Sequence, residues 1–158
     1  MQPLLISMLE KDVMVCWRTQ STSSARVEGM VSMWIAPVNI VEVVVTSLLS
    51  LFFLAGGLGH FVNTPFFVSI MPPGIPYPLF WVYFTGVCEI LGAIGLWLAP
   101  TRTAAAWCLL VLCVAVFPAN IYMACYPERF SQFSSTALYA RLPMQFVLIY
   151  ACCWLAQY

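Results

Sequence analysis

The stretch "LFWVYFTGVCEILGAIGLWLAP", residues 79–100, sets one acidic residue, Glu89, near the middle of an apolar run long enough to cross a bilayer. A helix rises about 1.5 Å per residue, so crossing the hydrocarbon takes roughly 20 mostly apolar residues. Ten residues into such a helix, Glu89 is expected roughly 15 Å deep, near the midplane. A carboxylate there costs on the order of 2.5–3.5 kcal/mol on the insertion scale. Leu, Ile, Val and Phe around it, at roughly −0.3 to −0.6 kcal/mol each, still carry the segment into the membrane. Insertion tolerates Glu89 without explaining it.

The rest of the chain extends the pattern. Its 158 residues are 63% hydrophobic and 8% charged, with a mean hydropathy of +0.93. Soluble domains carry roughly 25% charged residues, and so few charges could not cover a water-facing surface. The sequence predicts an integral, multi-pass membrane protein with the lipid bilayer as its first partner. Net charge is zero and no basic cluster occurs, which argues against nucleic acid.

Segments about 38–61, 79–99, 103–124 and 141–158 each approach spanning length. A closed barrel would need alternating apolar and polar residues, and nothing here alternates. The predicted fold is all-α, an antiparallel four-helix transmembrane bundle over residues 36–158. Pro100-Thr101-Arg102 enforces a short hairpin between the second and third helices. "NTPFFVSIMPPGIPYP", residues 63–78, is too proline-rich to be helical throughout and reads as a re-entrant or surface loop. "CYPERFSQFSSTALYA" reads as a polar connector with room for a short interfacial helix.

Residues 1–35 read as an extension, lightly structured or disordered, with Met30 or Met33 as an alternative start. Acids among its bases argue against a mitochondrial presequence. Lys11, Arg18, Arg26 and Arg102 fall on one side, Arg129 and Arg141 on the other. The positive-inside rule then places both termini in the cytoplasm or its equivalent. A start at Met30 or Met33 would reverse that count.

Polar residues from the other helices fall at matching depth. Arg141 and Gln145 are four apart on the last helix, hence on one face. Asn120 lies near the end of the third helix, beside Pro118, whose missing N–H frees the carbonyl of Val114. His60, the single histidine, ends the first helix on the same side. Thr85, Glu89 and Gly92/Ala93 share one stripe with Gly86 beside it, and intramembrane charges face the bundle interior. The sequence therefore predicts a polar pocket of His60, Glu89, Asn120, Arg141 and Gln145, with Arg141 as ionic partner of Glu89. The competing expectation is a structural Glu–Arg pair that fixes helix register, with His60 as a loop anchor. Glu42 is expected to snorkel to the opposite surface. Trp81, Tyr83, Trp97, Tyr122 and Trp154 read as interfacial belts.

Seven cysteines include no C-x-x-C and read as small buried hydrophobes. One histidine is a poor basis for a haem, and no metal-ligand spacing or Walker, nucleophile-elbow or dinucleotide motif occurs. No cofactor or metal is expected, with quinone as a candidate ligand.

"FFLAGGLGHF", "MPPGIPYP", "TGVCEILGAIGLWLAPTR", "VAVFPANIYMA" and "RLPMQFVLIYACCW", in this order and spacing, resemble the DoxX-like family of small four-helix membrane proteins. The resemblance runs from about residue 48 to 154. It implies a four-helix bundle with Glu89, Asn120, Arg141 and Gln145 at the family's polar motif positions. It also implies terminal-oxidase or thiosulfate–quinone chemistry, or accessory and maturation roles such as receptor assembly. The expected function is thus an accessory or assembly factor working with a membrane-protein partner, a respiratory complex or further copies of itself. The alternative is a quinone-linked oxidoreductase subunit using the polar pocket. A third reading is a proton-coupled transporter of a small solute.

Overall fold

The computed structural model describes residues 39–157, which form helices joined by turns. They are α1 (Ile40–Val62), α2 (Thr64–Ser69), α3 (Pro78–Gly95), α4 (Arg102–Cys125) and α5 (Ser135–Leu155), with a 3-10 turn over Pro127–Phe130. Four of them, α1, α3, α4 and α5, are long and apolar enough to cross a membrane. The extension over residues 1–35, its charges and the alternative starts lie outside the described residues.

α1 shows why the bundle needs lipid around it. Ile40, Val44, Leu48, Leu51 and Leu58 point outward, while Glu42, Thr46, Ser50 and His60 are buried. A surface helix of a soluble protein is arranged the other way round. Lipid tails solvate the apolar face, and polar side chains gain by turning inward to one another.

α1 packs along α3, α3 along α4 and α4 along α5, while α5 returns only lightly to α1. Glycine makes the α1–α3 crossing close. A Cβ at Gly57 would lie 2.8 Å from the Gly86 carbonyl oxygen, and one at Gly86 would lie 2.8 Å from Cβ of His60. The main apolar core includes Leu49, Phe53, Ala93, Leu96, Leu109 and Cys152. A smaller cluster of Met123, Phe130 and Leu138 closes the far end, with Phe66 of α2 packed against it. A shallow apolar cleft of about 200 Å³ between α1 and α5 is lined by Val41, Val45, Tyr150, Ala151 and Trp154.

The element boundaries differ from the expected ones for local reasons. α3 stops at Gly95, four residues short of 99, because tight i→i+3 bonds from Trp97 to Ile94 and Leu98 to Gly95 take over. The Thr101 hydroxyl then donates to the Gly95 carbonyl at 2.9 Å. α5 starts at Ser135 rather than 141, because the Ser134 side chain accepts from the Ala137 N–H as an N-cap. The proline-rich loop holds the short helix α2, started by Pro65 in its first turn. Pro78 opens α3 in the same way.

Candidate functional site

His60 is buried in the last turn of α1, within the helix rather than in a loop. Its Nδ1 lies 2.8 Å from the carbonyl oxygen of Val82 on α3. A carbonyl can only accept, so Nδ1 carries the proton and Nε2 is left for another partner. Thr85 Oγ1 stands 3.2 Å from Nδ1, its own hydroxyl within 2.8 Å of the Trp81 carbonyl. Phe67 of α2 stacks on the imidazole at 3.9 Å between ring centres. The ring is thus fixed by a backbone acceptor on one edge and an aromatic face.

The Nε2 edge looks at Glu89, with 3.9 Å between Nε2 and Oε1. That is ion-pair range and too long for a direct hydrogen bond. Among the described residues, no donor lies within hydrogen-bonding reach of the Glu89 carboxyl, and its side chain keeps 13% exposure. Gly56 makes this room, since a Cβ there would fall 2.7 Å from Oε2.

Asn120 and Gln145 do come together. Asn120 Nδ2 donates to Gln145 Oε1 at 3.1 Å, and Gln145 Nε2 donates to the Cys113 carbonyl at 2.7 Å. Pro118 sits inside α4, and a helical proline opens the turn before it. The sequence names the Val114 carbonyl as the freed acceptor, whereas Gln145 engages its neighbour at Cys113. This small network ties α5 to α4.

Arg141 corrects the central expectation. It forms no ion pair with Glu89; its Nη1 lies 3.5 Å from the Met123 sulfur, and its guanidinium is 5.2 Å from the Phe133 ring centre. α5 bears Arg141 along α4, whereas α3 bears Glu89 along α1, so the side chain that faces Glu89 is His60. The predicted five-residue pocket is therefore two separate pairs, His60–Glu89 and Asn120–Gln145, with Arg141 apart.

Glu42 is the second correction, because it does not snorkel. It is 3% exposed, as is Arg102, and Arg102 Nη1 lies 3.5 Å from Glu42 Oε2. Asn39 holds the same carboxylate, its side chain donating to Oε1 and accepting from the Glu42 N–H at 3.0 Å. Arg102 Nε also donates to the Leu96 carbonyl at 3.2 Å just past the end of α3. Glu42 in the first turn of α1 suits that helix's dipole, and the Arg102 guanidinium, although its residue opens α4, reaches the C-terminal end of α3. Arg102 is therefore buried and paired with Glu42. The spacing 42, 46, 50, one polar residue per turn on one face, was the signal for an inward row. Ser50 completes it by donating to the Ala93 carbonyl at 3.0 Å.

Among the described residues no three His, Cys, Asp or Glu side chains gather closely enough to hold a metal ion. The described cysteines are free thiols; Cys113 and Cys152 are buried as expected, whereas Cys108 and Cys125 are exposed and depart from that reading, and Cys16 lies outside the described residues.

Residues 49–156 match a family described as a domain of unknown function, DUF8561. The chain belongs to this family. The match takes in α3, α4, α5 and most of α1, and with them His60, Glu89, Asn120, Arg141 and Gln145, while Glu42 precedes it. No curated protein and no solved structure matches the chain.

Proposed function

We propose that this DUF8561 protein is an accessory membrane subunit whose His60–Glu89 pair binds the polar head of a quinone-class ligand and exchanges a proton with it. The observation that supports this is the open valence of Glu89. Its carboxyl lies about 16 Å from the start of α3, without a hydrogen-bond donor among the described residues, and keeps partial exposure. A polar group kept only to fix register is expected to close on its neighbours, as Gln145 does on Asn120 and the Cys113 carbonyl.

The chemistry suits a ring with exocyclic oxygens. A protonated carboxyl or imidazolium donates to a quinone oxygen, and the carboxylate accepts from a quinol hydroxyl. Phe67 against His60 and the stacked Phe61–Tyr83 pair at 5.5 Å supply aromatic surface nearby. The α1–α5 cleft lies at the Glu42 end of α1, away from Glu89. Electrons would come from a partner protein, in keeping with an accessory role and with the likeness to DoxX-like proteins.

The test is titration of the protein in nanodiscs with a short-tailed benzoquinone, read by quenching of tryptophan fluorescence. Saturable binding is expected, weakened about tenfold or more in Glu89→Leu and in His60→Leu, the loss of one charge-assisted hydrogen bond at about 1.5–3 kcal/mol. Quenching that never saturates, or that both variants leave unchanged, would remove the proposal.

A further inference from the structure

Arg129 and Arg141 sit at the end of the bundle where α4 closes and α5 begins. Among the described residues the ion pairs are His60–Glu89 and Glu42–Arg102. Neither of these two arginines takes part. Arg129 Nη1 donates to the Tyr122 hydroxyl at 2.6 Å, and its guanidinium lies 5.5 Å from the Tyr126 ring centre. Arg141 faces the Met123 sulfur and the Phe133 ring. A thioether and a π face attract a cation weakly and do not neutralise it.

Both guanidinium groups border the same cluster, in which Tyr122 and Phe133 pack against Met123, Phe130 and Leu138. Glu128, exposed on the 3-10 turn beside Arg129, pairs with neither. The opposite end offers no such cation among the described residues, since Arg102 is buried against Glu42. Depth favours a ligand at headgroup level. Arg141 lies six residues into α5, about 9 Å from its start, and a long arginine side chain covers that distance toward the interface.

The geometry points to a site for the phosphate of an anionic membrane lipid, held between Arg129 and Arg141, with Tyr122 and Phe133 bordering the glycerol and upper acyl region. A phosphate oxygen accepts the charge-assisted hydrogen bonds that sulfur and ring faces cannot. The site is independent of the His60–Glu89 pair and stands whether or not that pair binds quinone.

Native mass spectrometry of the full chain, exchanged with phosphatidylglycerol or phosphatidylcholine, measures it. Each arginine near a headgroup is worth about fivefold in affinity, so the wild type should prefer phosphatidylglycerol by about 25-fold. Arg129→Gln and Arg141→Gln should each lose about fivefold of that preference, with thermal stability in phosphatidylcholine kept. Millimolar inorganic phosphate should leave the preference intact. The inference fails if the wild type shows no preference, if both variants retain it in full, or if inorganic phosphate displaces the lipid.

Discussion

Arg102→Met is expected to destabilise the protein by about 3–5 kcal/mol, the usual penalty for removing one partner of a buried ion pair. Glu42 is 3% exposed and would keep its desolvated charge without the guanidinium that now faces it. The Leu96 carbonyl at the end of α3 would lose its donor as well. The remedy is to remove both charges. Glu42→Leu with Arg102→Met should recover most of the loss, since a well-packed apolar pair often equals or exceeds a buried ion pair in stability. Unfolding in mixed micelles, measured for the two single variants and the double variant, checks the cycle. Additive losses would mean that the two side chains do not depend on each other.

Gly57→Val should come next in size. Helix propensity by itself favours almost any replacement of a mid-helix glycine, by up to about 1 kcal/mol. Sterics oppose it more strongly. The added Cβ meets the Gly86 carbonyl oxygen and the Ile90 side chain at 2.8 Å each, and Cβ of Glu89 at 3.1 Å. Backbone oxygen cannot rotate away, so α1 and α3 must separate, and overpacking of this kind costs roughly 1–3 kcal/mol or more. Separation would also lengthen the His60–Glu89 approach and weaken the proposed quinone binding. Gly59→Ala is the matched control, because its Cβ would meet only the Phe67 ring at an ordinary 3.4 Å. A melting temperature lowered at Gly57 and kept or raised at Gly59 is the expected pair of results.

The helix count was legible because hydropathy over about 20 residues is a property of composition, which every span carries in its own sequence. Ends were less legible. Residues 135–140, Ser-Thr-Ala-Leu-Tyr-Ala, are less apolar than the span that follows, and the Ser134 cap is what marks them as helical. Depth along a single helix was also readable, which is why His60 was placed near Glu89. The direction a side chain takes around the bundle was not. Arg141 and Glu89 sit on helices that mainly pack against α4 and α1 respectively, and no pattern within either segment says so. Glu42 fails for the opposite reason. Its closeness to a helix end suggested the surface, while its register with Thr46 and Ser50 pointed inward, and register prevailed because Arg102 waits there.

Infrared difference spectroscopy on nanodisc-embedded protein, with and without a short-tailed benzoquinone, puts the most direct question to the Glu89 carboxyl. The account predicts a carboxyl stretching change on ligand addition that is present in the wild type, lost in Glu89→Gln and retained when Glu42→Gln and Arg102→Met are combined. A spectrum in which the ligand moves no carboxyl band, or in which the band survives Glu89→Gln, would contradict it.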